Sequence, residues 1–359
     1  MSFAHALCAD KWFVGKDDST HHLTAPGEAA SGLLIEIMSS QTLPDTRPPI
    51  EGMRRQAVRL TPRSLAAMLL LALMWGLSIP VTKVGLLTLP PLTFTALRFA
   101  IAVPLFLIFA LGRRVPAWRA FPRIAALGVL GIGIGQVAQT YGVDGTSASV
   151  GTIISATIPI FIVLFAAIRL KQSVTGWQKF GLLAAFAGIA LVALGPGQGG
   201  TAVTQTTAGG AACVLLSTVA IAFYYVWSVE LASAYGTVAV VTWSTLFGFI
   251  ALLPWAGWEM RRYSIHITAQ SVGAAAYLGV VVTVAGLFLW LHLLRVVPAR
   301  VAASVQYLQP VVGIAAAAEM FGDRLGGFFV VGVVLVLGGL VFTLASGKEA
   351  GGPLEQEVR

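Results

Sequence analysis

From Leu65 to Ala345 the chain alternates apolar runs of roughly twenty residues with short polar or charged breaks. A run of that length matches the hydrocarbon thickness of a bilayer. Charge clusters, Gly/Pro punctuation and polar breaks divide the text into ten such runs. They are Leu65–Leu87, Pro91–Leu111, Phe121–Tyr141, Ser147–Ile168 and Gly176–Leu194, then Ala208–Val229, Thr237–Gly257, Val272–Leu294, Pro298–Met320 and Gly326–Ala345. Inside lipid a backbone must satisfy its own hydrogen bonds, so each run is predicted to be a helix. The expected fold class is an all-α polytopic membrane protein, ten transmembrane helices arranged as two inverted five-helix repeats. The connections are too short for a separate soluble domain.

The composition agrees with the pattern. Hydrophobic residues make up 57% of the 359 residues and charged residues 11%, against about a quarter charged in soluble domains. The net charge of +8 is read as a topology signal rather than a nucleic-acid footprint. With the N-terminus inside, inner loops carry Arg54, Arg55, Arg59, Arg63, Arg113, Arg114, Arg119, Arg123, Arg169, Lys171, Lys179, Arg295, Arg300 and Lys348. Outer loops carry only Arg261, Arg262 and Arg324, and the uncharged loop Gly195–Thr207 falls outside. Both termini are therefore expected in the cytoplasm, in a multi-pass protein of the plasma (inner) membrane.

Residues 1–52 have no sustained periodicity and are expected to be a disordered extension. Met53 is a candidate start, with the upstream piece an extension of the reading frame. His21 and His22 belong to that solvated tail. Cys8 and Cys213 have no CxxC spacing and suggest neither a disulfide framework nor a zinc site. No cofactor or metal is expected.

The two halves are related. A shift of 151 residues places Ala148 on Ala299, Val150 on Val301, Pro159 on Pro310 and Gly181 on Gly332. Five spans per half is an odd number, so the second copy enters the membrane from the opposite side. Such inverted repeats underlie many alternating-access carriers. The first repeat is expected over residues 53–195 (helices 1–5), the second over 208–346 (helices 6–10), with a cytoplasmic tail at 347–359.

The segments WGLSIPVTKVGLLTLPPLTFTALRF (75–99) and WLHLLRVVPARVAASVQYLQPVVGIAAAAEMFGDRL (290–325) resemble the EamA-like branch of the drug/metabolite transporter superfamily. The resemblance covers about residues 65–345. It implies a secondary transporter of small organic metabolites, most plausibly an exporter of amino acids or related compounds. The chain departs from the family pattern at the turn acid, which is Asp323 in the second half and Gln172 in the first. An essential acid at the latter point is excluded.

Several polar residues inside apolar runs are candidates for a substrate path. Trp75 and Gly76 combine an aromatic with a notch for close helix approach, and Pro80 marks a bend. Lys83 is placed to snorkel its ammonium to the outer headgroups, either as a plain anchor or as an attractor for anionic groups at the outer mouth. Arg98 sits about 10 Å into helix 2. It either pairs with an outer helix end or lines a cavity. Helix 9 carries Gln306, Gln309, Pro310, Gly313 and Ala317 on one face. Helix 4 carries Gly151, Ser155 and Pro159 on the equivalent face. Both stripes read as packing seams or as walls of a midplane site. Further candidates are Gln136, Gln139, Tyr224 and Trp290. Tyr225, Trp227 and His292 are also considered, Trp227 and His292 as interface-belt residues, and Glu319 as a proton relay.

HExxH, GxSxG and Walker A sequences are absent, which argues against a membrane enzyme and against direct ATP coupling. A non-transport scaffold and a membrane-embedded enzyme are the alternatives to the transporter. The implied partners are a small-molecule substrate and the lipid bilayer, not nucleic acid; pairing into a homodimer stays open.

Overall fold

A computed structural model describes residues 61–113, 115–169, 176–194, 205–297, 305–323 and 325–345. They form ten helical rods: α1 (Pro62–Leu86), α2 (Pro91–Ala110), α3 (Trp118–Asp144), α4 (Ala148–Arg169), α5 (Gly176–Leu194), α6 (Ala208–Tyr235), α7 (Thr237–Arg262), α8 (Ala269–Val296), α9 (Val305–Phe321) and α10 (Gly327–Ala345). The first eight are long and apolar enough to cross a membrane, and α10 contributes a shorter apolar helix. The described parts therefore form an all-helical polytopic membrane protein.

The helices begin and break for local reasons. The Thr61 side chain accepts the Ser64 N–H ahead of α1, and Pro62 occupies the first turn, where its missing N–H costs nothing. Pro80 cannot donate to the carbonyl of Gly76, and α1 is interrupted at Leu77. Pro159 leaves the Ser155 carbonyl without its helical donor in the same way. There α4 breaks at Ala156 and Thr157, and the Thr157 hydroxyl turns back to the Ile154 carbonyl at 2.6 Å. Pro310, at the equivalent position, lies inside a continuous α9.

Packing follows a two-fold pattern that exchanges α1–α5 with α6–α10. The pairs α2/α7, α4/α9 and α5/α10 are their own counterparts. The contacts of α1 with α8 and α9 match those of α6 with α3 and α4. The α5/α10 seam is glycine-lined. A Cβ on Gly188 would lie 2.6 Å from the Gly332 carbonyl oxygen, and one on Gly332 would lie 2.9 Å from that of Gly188. Gly339 meets Gly181 in the same seam, so the two helices run antiparallel. Where α1 crosses α9, a Cβ on Gly76 would come within 2.7 Å of Val312, and one on Gly313 within 2.8 Å of the Gly76 carbonyl. The notch read in Trp75-Gly76 is therefore filled by α9.

Two widened π-helical turns also obey the exchange. They span Gly128–Ile134 in α3 and Tyr277–Ala285 in α8. The shift of 151 residues superposes Leu127, Gly128 and Gly135 on Leu278, Gly279 and Gly286.

Several predicted boundaries move outward. α3 reaches Asp144, α6 reaches Tyr235 and α8 begins at Ala269. α7 continues through Gly257 to Arg262, which puts Glu259, Arg261 and Arg262 on its last turns rather than in a loop. Helices extend while each new residue adds a backbone bond, and the exposed Arg261 and Arg262 sit where headgroups and water accept them. The expectations for residues 1–52 (with His21 and His22), Met53, Arg54, Arg55, Arg59, Arg114, Lys171, Gln172, residues 195–204, 298–304, Arg324 and 346–359 lie outside the described residues.

Candidate functional site

α8 gathers the largest set of predicted path residues. The Trp75 indole N–H donates to the carbonyl of Val282 at 3.1 Å, and its ring lies 5.8 Å from that of Trp290. Gly286 leaves the space for the indole, which a Cβ there would strike. One residue beyond Val282, the hydroxyl of Thr283 accepts from Arg98, 2.9 Å from Nη2 and 3.3 Å from Nε. That hydroxyl gives its own proton to the Leu278 carbonyl at 2.7 Å, a bond spanning five residues in the widened turn. Arg98 Nη1 donates to Gln136 Oε1 at 2.8 Å, just past the matching widened turn of α3. Trp75 and Arg98 thus converge on consecutive residues of α8. Tyr277 closes the same corner by donating to the Met74 carbonyl at 3.0 Å.

Arg98 does not pair with a helix end, contrary to one of its two expected readings. Side chains of α3 and α8 hold it instead, because its position on α2 faces those helices. Ala100, two residues on and about 200° around the helix, is exposed on the opposite side. Among the described residues no carboxylate lies within ion-pair distance of Arg98. Arg98, Gln136, Thr283, Trp75 and Trp290 are all half-buried.

Lys83 overturns its expected role. It is 4% exposed, and its ammonium donates to the carbonyls of Val143 (2.8 Å), Asp144 (2.9 Å) and Thr146 (2.7 Å). These oxygens lie at the C-terminal end of α3, where the last carbonyls lack helical donors and the helix dipole is negative. A nearby cation acceptor inside the bundle wins over a reach to the headgroups. With three donors engaged, Lys83 ties α1 to α3 and is neither a snorkelling anchor nor open to solutes at the outer mouth.

Tyr224 is also corrected. It is 5% exposed and its hydroxyl shares a hydrogen bond of 2.8 Å with Ser244. Gly131 packs directly on its ring. It is a packed contact between α3, α6 and α7, not a wall residue. Its neighbour Tyr225 is exposed. Trp227 stacks on Phe223 at 4.4 Å and lies under Arg169, which pairs with Glu230. Such an aromatic and charged cluster suits the interface position expected of Trp227.

The two stripes come out unequal. Gln309 donates to Gln306 at 3.1 Å, so each amide has its neighbour one turn away as a partner. Pro310, Gly313 and Ala317 are buried on the same side. The Ser155 hydroxyl, beside the α4 break, is enclosed with no hydrogen-bond partner among the described residues. Pro159 and Gln139 are half-buried, whereas His292 and Glu319 are exposed. Glu319 therefore lacks the enclosure that a relay group needs.

Two acids act differently from any sequence expectation. Glu259 is 2% exposed and accepts the Thr93 N–H at 2.7 Å and the Thr93 hydroxyl at 2.8 Å, with the Tyr141 hydroxyl at 3.3 Å. It caps the N-terminus of α2 from the far end of α7. Asp323 accepts the Ser149 N–H at 2.8 Å and caps α4 from the end of α9. Both satisfy first-turn donors that have no helical partner. Asp323 was singled out as the turn acid, but its capping partner was not foreseen. Glu259 and Thr283 were missed; Thr283 is a lone polar residue in an apolar run, whereas Glu259 sits beside Arg261 and Arg262.

Comparison with known proteins gives a consistent result. The EamA-like transporter family matches residues 63–194 and again 208–345. An uncharacterized transporter of Archaeoglobus fulgidus is 29% identical over 74% of this chain and 93% of its own length. A probable amino-acid metabolite efflux pump of Escherichia coli is 28% identical over 76% of this chain and 91% of its own. A probable terminal-alkyne amino-acid exporter of Streptantibioticus cattleyicolor is 26% identical over 81% and 98%. One solved structure superposes with a TM-score of 0.56 at 17% identity, covering 81% of this chain and 99% of that one, and speaks for the fold alone.

Proposed function

The chain belongs to the EamA-like transporter family and is a transporter of small metabolites rather than an enzyme, and from that premise we propose that it exports amino acids or closely related compounds by alternating access. The observation that carries this reading is the half-buried group of Arg98, Gln136, Thr283, Trp75 and Trp290 between α1, α2, α3 and α8. It combines a cation, amide and hydroxyl groups with an aromatic wall. Amino acids need that combination: polar groups for the backbone end and apolar surface for the side chain. Gln306 and Gln309, with the Ser155–Pro159 break in α4, are assigned to the same path. Lys83 and Tyr224 are left out of it on the geometry above.

In this reading all ten helices span the plasma membrane, with both termini cytoplasmic. Helices 1–5 and 6–10 form two inverted repeats, over residues 53–195 and 208–346, that rock against each other. The antiparallel, glycine-lined α5/α10 seam supports the inversion, since exchange of the halves reverses chain direction. The segment 1–52 is dispensable.

Counterflow in proteoliposomes tests the proposal. Purified protein, preloaded with a mixture of unlabelled amino acids, is expected to take up at least one radiolabelled amino acid transiently against its gradient. Absence of exchange for every amino acid, with the protein folded and inserted, would overturn it.

A further inference from the structure

We propose that Arg98, with the amide of Gln136, is the subsite that receives a carboxylate group of the transported molecule. The proposal rests on the reading of the chain as a carrier of amino acids, and it assigns which end of the ligand binds where.

A guanidinium has five N–H groups and no acceptor. Arg98 uses three of them, two on Thr283 and one on Gln136. The Thr283 hydroxyl has given its proton to Leu278, so both its lone pairs face Arg98. Because arginine can only donate, the amide of Gln136 must present its oxygen to Nη1. Its NH2 group is then left over. The groups of the cluster not already engaged are therefore mostly donors: two guanidinium N–H groups and the amide NH2, against one remaining lone pair on Gln136 Oε1. A ligand that fits must bring chiefly acceptors, and a negative charge matches the cation. A carboxylate is such a group, and its planar pair of oxygens suits the guanidinium fork.

The two-fold pattern shows that the fold does not require this charge. In α8 and α3 the shift of 151 residues places Thr283 on Ile132 and Gln136 on Leu287. Both Ile132 and Leu287 pack against an apolar cluster that includes Phe99, Phe106 and Leu252. Gly279 abuts the backbone oxygen of Arg98, and its counterpart Gly128 abuts that of Ser244. Ser244 thus stands where Arg98 stands, and its hydroxyl is bonded to Tyr224. One half builds this corner without charge; the other holds a cation with no acid in ion-pair distance among the described residues. An unpaired intramembrane cation is costly unless a partner is supplied, and in a carrier the cargo can supply it. The Trp75–Trp290 wall, anchored to the residue next to Thr283, would then face the ligand's side chain.

Matched compounds separate the carboxylate from the rest of the molecule. Exchange by proteoliposomes is measured for L-phenylalanine, L-phenylalaninamide and phenethylamine, and for L-leucine, L-leucinamide and isoamylamine. The acids are expected to exchange with apparent affinities at least about tenfold above their amides and amines, the size of a charge-assisted hydrogen bond. Arg98→Gln should bring the acids down to the level of the amides. Gln136→Leu, which removes donors and leaves the charge, should weaken the acids several-fold and narrow their preference over the amides. Two results overturn the subsite while leaving amino-acid transport in place: wild-type protein that treats acid and amide alike, or a folded Arg98→Gln protein that keeps the acid preference. Should Arg98→Gln not fold, an unchanged acid preference in Gln136→Leu overturns it. If no amino acid exchanges at all in the broader counterflow assay, the carrier reading fails, and the subsite with it.

Discussion

Glu259 holds Thr93 twice, accepting its backbone N–H at 2.7 Å and its hydroxyl at 2.8 Å. The carboxylate comes from the end of α7 and the donors from the first turn of α2, so one side chain joins two helices far apart in sequence. Glu259→Ala should cost about 2 kcal/mol, the loss of a cap and of a charged hydrogen bond. Thr93→Val, which keeps the N–H, should cost about 1 kcal/mol. In the double variant the losses should be less than additive. Detergent-solubilised melting curves of the three proteins check this; additive losses would mean that the two residues act independently.

Lys83→Met keeps the length of the side chain and removes the ammonium. Three carbonyls at the end of α3 then lose their donor. Stability should fall by about 3 kcal/mol or more, while protein that remains folded keeps its substrate affinity. A selective loss of affinity without loss of stability would return Lys83 to the transport path.

The α5/α10 seam is sensitive to volume. Gly188→Leu would drive a side chain into the Gly332 carbonyl and Val336, and should destabilise by about 1–3 kcal/mol through overpacking. Gly257→Ala on α7 meets nothing within 4 Å, and should be neutral or slightly stabilising, since alanine is the better helix former. Equal melting temperatures for both variants would argue against the seam.

Topology is tested by single cysteines in a cysteine-free background. Gln205 and Arg119 are both exposed. With the proposed orientation, a cysteine at Gln205 labels with an impermeant thiol reagent added outside intact cells, and one at Arg119 labels only after permeabilisation. The opposite pattern would invert the protein in the membrane.

Much of the architecture is legible in the chain itself. Apolar run length alone dictates helices, because lipid offers the backbone no other partner. The shift that superposes Gly181 on Gly332 already announces two related halves. Pro80 and Pro159 mark where α1 and α4 can break, since a missing N–H is a local property, although Pro310 lies inside an unbroken α9. Trp75, Trp290, Arg98 and Gln136 are suggested as path candidates by aromatic, cationic and amide groups inside apolar runs, but the pairing of the two tryptophans is not.

What each polar side chain touches is decided only by tertiary structure. Lys83 reads as a snorkelling lysine from its depth in α1. It is a buried clamp because α3 ends beside it and offers three carbonyls that no regular helical bond satisfies. Tyr224 reads as a wall residue, yet Gly131 and Ser244 close around it. Glu259 looks like a loop acid until α7 runs on past Gly257 and meets the start of α2. Sequence periodicity determines which helices form and which face is apolar. The partner of a charge is set by where another helix happens to end or to widen, and that depends on packing between residues 38 to 185 apart in the chain.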